Sequence, residues 1–157
     1  MELTGGCACG AIRYKCSERP VVELICHCRD CQRASGGAIS AVMLVASDRV
    51  TYEGAELKYH TVTTASGNRL SRGFCPTCGS PVSARWEGNP TYARLQAIHA
   101  GSLDDPSGFS PSFEDWVSRS YSWHPFHPGT RKFDEKPTPD AFRNVVEAYF
   151  AARGSGE

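Results

Sequence analysis

The sequence predicts a mainly β fold in which packed antiparallel meander sheets are tied together at clusters of cysteines. Three observations indicate it: short stretches in which apolar and polar residues alternate, turn residues between those stretches, and cysteines in closely spaced groups. A short helix and one longer amphipathic helix complete the prediction. With 157 residues, the chain has the usual size of one domain and can bury one core.

The N-terminal part of the chain predicts two strands and a short helix. Residues 11–16 alternate between an apolar and a basic face, as in a half-buried strand, and residues 21–25 form a second short apolar run. Residues 32–35, which follow a group of three cysteines, predict a helical turn or two. Gly36 and Gly37 are expected to end that helix.

The middle of the chain predicts a series of strands separated by turn residues. The first three are expected to pair as a meander, and the last two follow a cysteine pair that has the form of a zinc knuckle. The predicted strands are residues 38–45, 50–52, 57–63, 82–86 and 92–100.

The C-terminal third divides into an irregular segment and a helix. Residues 101–137 are rich in Pro, Ser, Gly and aromatic residues without clear periodicity, which predicts partly packed coil. Residues 139–153 place apolar side chains at three- and four-residue steps, with Thr138 as a cap and Pro139 in the first helical position. We therefore expect an amphipathic helix, which Gly154 ends.

Charge and hydropathy argue against several classes of protein. Seventeen basic residues balance seventeen acidic ones, so no broad positive field is available for a nucleic acid. The first residues lack the basic stretch and apolar run of a signal peptide, and no uncharged apolar segment approaches about 18 residues. We expect a cytoplasmic protein without nucleic acid or membrane partners; the oligomeric state is not indicated.

Eight cysteines in a reducing compartment indicate metal binding more than disulfide bonds. Pairs separated by a single residue are awkward as disulfide partners but suit two ligands that converge on one ion. Buried free thiols or a disulfide pair are the alternative. Seven of the cysteines fall into three groups, which are Cys7 with Cys9, Cys26 with Cys28 and Cys31, and Cys75 with Cys78.

The three groups can be divided between two zinc ions. Zinc prefers four tetrahedral ligands; a structural site is closed by four protein donors, and a catalytic site keeps one position open. The two cysteine pairs together make one closed site, which leaves Cys26, Cys28 and Cys31 to hold a second ion with a vacancy. Iron also accepts four thiolates, so the sequence does not determine the metal.

The fourth ligand of the three-cysteine group decides between an active site and a second structural site. His27 lies between two ligands, where neighbouring side chains tend to point apart. Cys16 shares a strand face with Ile12 and Tyr14, which is typical of a buried core thiol. A second site closed by Cys16 stays the main alternative to an open one.

An open three-thiolate zinc site favours thiol chemistry over hydrolysis. Three anionic donors outweigh the charge of the ion by one unit, which makes it a weaker acid toward bound water than zinc held by three histidines. An incoming thiol could take the vacant position, lose its proton and add to a carbonyl. Arg29 and Arg33 on the predicted short helix could offset the extra negative charge, or could simply form a solvated face.

Three motifs carry a resemblance to a known family. They are Gly5-Gly6-Cys7-Ala8-Cys9-Gly10, Cys26-His27-Cys28-Arg29-Asp30-Cys31 and Gly73-Phe74-Cys75-Pro76-Thr77-Cys78-Gly79. In this order and at these separations they resemble the glutathione-dependent formaldehyde-activating enzyme family, which includes the centromere-protein-V-like domains. The resemblance extends through residues 101–106 to about Trp123.

The resemblance implies a zinc-knuckled β fold, with structural zinc at the two cysteine pairs and catalytic zinc at Cys26, Cys28 and Cys31. It also implies the reaction: glutathione, a small-molecule thiol, adds to formaldehyde to give S-hydroxymethylglutathione, which is a carbon–sulfur lyase reaction written in reverse. Residues 1–137 are then expected to form the zinc-binding domain, with the helix and tail of residues 138–157 packed on it.

A non-catalytic zinc module that binds a protein partner is the second hypothesis. A filled fourth position, or a three-cysteine group without access to solvent, would favour it. Under the enzyme hypothesis, Trp116 and Trp123 are candidates for a pocket wall, although core packing is the commoner role of such residues. His99, His124 and His127 are candidates for proton transfer, with no role assigned.

Overall fold

The computed structural model describes residues 2–154, and over that range the chain forms eleven strands and two α-helices. Helix α1 spans Arg29–Ser35 and helix α2 spans Pro139–Gly154. The strands are β1 (Leu3–Gly6), β2 (Ile12–Cys16), β3 (Val22–Cys26), β4 (Ser40–Ala46), β5 (Val50–Gly54), β6 (Lys58–Thr63), β7 (Arg69–Phe74), β8 (Pro81–Glu87), β9 (Leu95–His99), β10 (Phe113–Asp115) and β11 (Arg131–Lys132). The predicted mainly β fold with two helices is confirmed.

The strands form two sheets. The smaller sheet has the order β1-β2-β5 and is antiparallel, and the larger has the order β11-β10-β3-β4-β9-β8-β7-β6. Strands β6 to β9 make an antiparallel meander. Strand β10 runs parallel to both β3 and β11, so the larger sheet is mixed at one end.

The meander predicted for residues 38–45, 50–52 and 57–63 is wrong in its pairing. Strand β5 leaves the larger sheet and pairs with β2, so that Tyr52 lies opposite Tyr14 with ring centroids 6.2 Å apart. Strand β4 pairs instead with β3 and β9. Alternation reveals which face of a strand is buried, but it does not name the neighbouring strand.

Strand β4 separates two hydrophobic cores. Val42 and Leu44 face the larger core, whereas Met43 and Val45 face the smaller one, because successive side chains of a strand point to opposite faces. The larger core also contains Cys26, while the smaller one is built on β2 and contains two other cysteines of the predicted sites. This layout places one cysteine group beside each core.

Helix α2 packs on the larger core. Phe142 and Val146 are buried there, and the Phe142 ring stacks on Tyr92 with centroids 4.8 Å apart. Near the C-terminal end of the helix, the Arg153 guanidinium lies 2.9 Å from the Asp48 carboxylate. The last residues of the predicted tail, 155–157, lie outside the described residues. Over residues 2–154, neither helix is long and apolar enough to cross a membrane.

Strand β1 was not predicted, because its two glycines give no alternating pattern. The reason for a glycine at position 5 is tertiary: a Cβ atom there would lie 2.3 Å from the Tyr14 hydroxyl and from the Ser102 carbonyl oxygen. Such contacts are far shorter than van der Waals distance. Any side chain at position 5 would push β1 away from the smaller core.

Candidate metal centres

The structure brings the seven clustered cysteines into two groups, each with its ligand atoms within 4.8 Å of one another. The groups are those predicted from the spacing, although binding of a metal by either stays a prediction. The first group consists of Cys7, Cys9, Cys75 and Cys78, and the second of Cys26, Cys28 and Cys31.

Two similar turns build the four-cysteine group. In the β1–β2 turn, the amide of Gly10 donates to the Cys7 carbonyl at 3.0 Å, and in the β7–β8 turn the amide of Gly79 donates to the Cys75 carbonyl at 2.9 Å. Both glycines have a positive φ, 76° and 75°, a conformation that favours glycine. The Ile12 amide donates to the Cys7 sulfur at 3.2 Å, which stabilises a thiolate there.

The four sulfurs fit a zinc ion. The Cys7 and Cys9 sulfurs lie 3.5 Å apart, and those of Cys9 and Cys75 lie 3.8 Å apart. A tetrahedral ion about 2.3 Å from each sulfur needs separations of about 3.8 Å. A disulfide bond needs about 2 Å, so these cysteines are free thiols. Cys7 and Cys75 are buried and Cys9 and Cys78 are exposed, so the site lies at the edge of the smaller core.

The three-cysteine group lies where β3 leads into α1. Cys26 ends the strand, and Cys28 is the N-cap of the helix, where its sulfur accepts a hydrogen bond from the Cys31 amide at 3.3 Å. Contacts with Cys26 and Cys31 lower the pKa of the Cys28 thiol to about 2. Cys26 is buried, whereas Cys28 and Cys31 are partly exposed. Two of the three cysteines are therefore partly accessible to solvent.

Neither predicted competitor supplies a fourth ligand. Within residues 2–154, no other His, Cys, Asp or Glu atom lies within 4.8 Å of all three sulfurs. Cys16 is in the smaller core, where its thiol donates to the Glu18 carbonyl at 3.3 Å. His27 turns away from the group, and its Nε2 lies 2.7 Å from a Glu114 carboxylate oxygen. The alternative of a second site closed by Cys16 has no support in the structure.

The His27–Glu114 pair is a structural element that the sequence did not reveal. Both side chains are fully buried, at 0% exposure. The second Glu114 oxygen accepts from the Thr130 hydroxyl at 2.6 Å and from the His127 amide at 2.9 Å. Burial acts to raise the pKa of Glu114, but these hydrogen bonds and His27 hold that pKa below its usual value. The ionised carboxylate thus anchors the loop that carries Cys26 and Cys28.

Glu114→Gln is expected to lower the free energy of unfolding of the metal-loaded protein by about 3 kcal/mol. A glutamine carries no charge and offers one amide oxygen in place of two carboxylate oxygens, so it cannot accept from His27, His127 and Thr130 as the carboxylate can. Denaturant titration measures the change. Glu147→Gln, on the exposed side of α2, is the matched control and should change stability by less than about 0.5 kcal/mol. An equal effect of the two substitutions would contradict the anchoring role.

The two arginines of α1 have different environments. Arg29 hydrogen-bonds to the side chains of Gln32 and Tyr121, and the Gln32 amide in turn donates to the Arg119 carbonyl at 3.1 Å. Arg29 therefore ties α1 to the segment that follows β10. Arg33 is exposed and lines a cavity.

Two adjoining cavities share Pro81 and His99, and the larger of them is also lined by Cys7. Their volumes are about 550 Å³ and about 390 Å³. Burial and the nearby Arg72 charge lower the pKa of His99, whose Nδ1 lies 3.3 Å from the Ser40 hydroxyl. The ring is therefore neutral at physiological pH.

The expectation that Trp116 and Trp123 form a pocket wall is wrong for these two cavities. Trp116 packs against the larger core, and Trp123 is 69% exposed and stacks on Tyr121 with ring centroids 5.0 Å apart. His124 packs beside His27 and His127 lies in the Glu114 network. The smaller cavity is lined instead by residues of α1 and of the β6–β9 meander, and the larger one by residues of the β1–β2 turn, β4 and residues 101–104.

Comparison with known proteins agrees with the arrangement of the cysteines. The glutathione-dependent formaldehyde-activating enzyme family matches residues 2–119, which include both cysteine groups. A Halomonas elongata protein that bears the name of this family is 31% identical over 110 residues, which are 66% of this chain and 67% of the relative. The crystal structure of a Rhodobacter sphaeroides protein has a similar fold, with a TM-score of 0.50 and 17% identity over 69% of this chain and 91% of that one.

Proposed function

This chain belongs to the glutathione-dependent formaldehyde-activating enzyme family, and on that premise we propose that it joins glutathione to formaldehyde. The reaction forms one carbon–sulfur bond. The thiol loses its proton, its sulfur attacks the carbonyl carbon, and the carbonyl oxygen becomes the hydroxyl of S-hydroxymethylglutathione. The class is that of a carbon–sulfur lyase running toward addition.

The observation that carries this proposal is a three-cysteine group that keeps one side open. We assign Cys26, Cys28 and Cys31 to a working zinc ion, and the four-cysteine group to a structural one. Zinc held by these three sulfurs would leave one coordination position for a thiol, and a thiol that binds the ion loses its proton more readily. The exposed sides of Cys28 and Cys31 are where such a thiol has access from solvent.

Other residues of the chain hold this arrangement in place. The Cys31 amide fixes the Cys28 sulfur, and the buried His27–Glu114 pair fixes the loop between Cys26 and Cys28. Arg29 anchors α1 against Tyr121, so the helix that carries two of the sulfurs cannot easily shift. Rigid support of this kind keeps the reacting groups in a productive geometry.

Magnetisation-exchange NMR tests the proposed reaction directly. With zinc-loaded protein, exchange of formaldehyde between its hydrated form and S-hydroxymethylglutathione should become faster in proportion to protein concentration. Buffer with the same amount of free zinc is the control and should show the uncatalysed rate. An unchanged exchange rate with two metal ions bound per chain would refute the substrate assignment.

A non-catalytic module that binds a protein partner is less well supported. That function is compatible with a fourth position filled by the protein, or with a fully buried three-cysteine group. Within the described residues no fourth His, Cys, Asp or Glu ligand atom lies within 4.8 Å of all three sulfurs, and Cys28 and Cys31 are partly exposed. Both observations favour the enzyme.

Location and domain organisation follow from the same features. We infer a cytoplasmic location, because free thiols in two clusters persist in a reducing compartment. We also infer that the zinc-binding domain ends near residue 137 and that helix α2 packs on it. The burial of Phe142 and Val146 of α2 in the larger core supports this division.

A further inference from the structure

We propose that Arg72, together with Arg33, binds a carboxylate of the thiol substrate in the cavity beside α1. The inference rests on the proposed function, since glutathione carries two carboxylates in addition to its thiol. The proposed carboxylate site is the smaller cavity, whose volume of about 390 Å³ is within the usual size range of small-molecule sites.

The proposal depends mainly on the environment of the Arg72 side chain. Its Nη2 atom is buried and has no hydrogen-bond partner among the described residues. A buried guanidinium nitrogen without an acceptor is unfavourable, and most buried polar atoms in proteins are paired. A ligand that brings an oxyanion into the cavity would satisfy it, because the guanidinium fork matches a carboxylate.

The cavity has an excess of positive charge. Arg33 and Arg72 line it together with one acidic residue, Asp30, and two histidines, His60 and His99. The Asp30 carboxylate accepts a hydrogen bond from the Ala65 amide at 3.2 Å, and it forms no ion pair with either arginine within the described residues. The two cations therefore remain available to an anion from solution.

The cavity lies on the same side of the larger sheet as the three-cysteine group. Arg72 pairs in register with Ala84, which faces the larger core together with Cys26. Paired residues of neighbouring strands share a face, so Arg72 and Cys26 are on one side of the sheet. Helix α1 covers that side, since Cys28 and Cys31 pack against the same core.

Helix α1 connects the two sites over a short distance. Asp30, Arg33 and Ala34 line the cavity and have the three- and four-residue spacing of one helical face. Cys31 is three residues before Ala34, and side chains at this spacing are neighbours on a helix surface, with Cβ atoms about 5–6 Å apart. In extended glutathione, about 7–10 Å separate the sulfur from the two carboxylates. A thiol at Cys31 can therefore extend a carboxylate into the cavity.

Calorimetry with two probes tests this site on the zinc-loaded full chain. Ophthalmic acid has both glutathione carboxylates but no thiol, and N-acetylcysteamine has a thiol but no carboxylate. Arg72→Gln is expected to weaken binding of ophthalmic acid at least tenfold, and Arg33→Gln, which removes a more exposed cation, about threefold. Arg72→Lys, which keeps the charge but loses the fork, should recover part of the affinity. Affinity for N-acetylcysteamine should stay unchanged in all three variants.

Arg19→Gln is the matched control, because it removes an exposed cation that lines neither cavity, and it should leave both affinities unchanged. Wild-type affinity of Arg72→Gln for ophthalmic acid, or no binding of that probe to the wild-type protein, would overturn the proposal. An equal loss for both probes would also overturn it, because the effect would then be structural. Binding of ophthalmic acid through Arg72 without acceleration of the formaldehyde reaction would refute the proposed function alone.

Discussion

Cys75→Ser is expected to unfold the protein or to leave it largely insoluble. Cys75 is fully buried in the smaller core, and its group joins the β1–β2 turn to the β7–β8 turn. Zinc binding at a four-cysteine site contributes on the order of 10 kcal/mol to folding, as much as the whole stability of an ordinary domain. Far-ultraviolet circular dichroism and metal analysis of the purified variant measure the effect.

Cys16→Ala is the control for this substitution. Cys16 is equally buried in the same core but belongs to neither cysteine group. Its loss leaves a small cavity, so we expect about 1–2 kcal/mol lower stability with both metal ions retained. A folded Cys75→Ser protein with two metal ions bound would contradict the structural role of the four-cysteine group.

Cys28→Ser is expected to abolish the acceleration of the glutathione–formaldehyde reaction while one metal ion stays bound. Two sulfurs are too few to hold zinc firmly, whereas the four-cysteine group is untouched. The helix should survive, because a serine side chain at the N-cap of α1 can accept the hydrogen bond that the Cys28 sulfur accepts from the Cys31 amide. Exchange NMR, metal analysis and circular dichroism of the same sample separate these effects.

The outcome of Cys28→Ser can contradict the proposal in two ways. A variant that retains the full exchange increment would show that the three-cysteine group is not the site of the reaction. A variant that loses both metal ions and its fold would show that Cys28 has a structural role instead. Cys16→Ala again serves as the control, and it should keep the wild-type exchange rate.

Local sequence patterns predicted the elements that depend on neighbouring residues. The C-terminal helix was expected over residues 139–153 and spans Pro139–Gly154, because its apolar spacing and cap lie within the helix itself. Strands β10 and β11 have only three and two residues, too few for an alternating pattern, and they form because β10 pairs with β3 and β11 pairs with β10. The segment predicted to be irregular, residues 101–137, therefore contains the two strands at one edge of the larger sheet, β10 and β11.

At the candidate site, too, features set by neighbouring residues could be predicted from the sequence, and contacts between distant residues could not. The three cysteine groups could be read from the sequence, and their combination followed from the preference of zinc for four ligands. The partner of His27 could not, since Glu114 is 87 residues away. Arg72 was not singled out, because its importance depends on burial beside α1.

The sequence by itself determined the grouping of the cysteines, the family and the mainly β class, because ligand spacing, turn residues and strand alternation are properties of short segments. Only the tertiary structure decided the order of the strands, the absence of Cys16 from the three-cysteine group and the presence of both Arg33 and Arg72 in the lining of one cavity. Those depend on which sheet faces pack together, and alternation along a strand specifies a buried face without specifying what covers it.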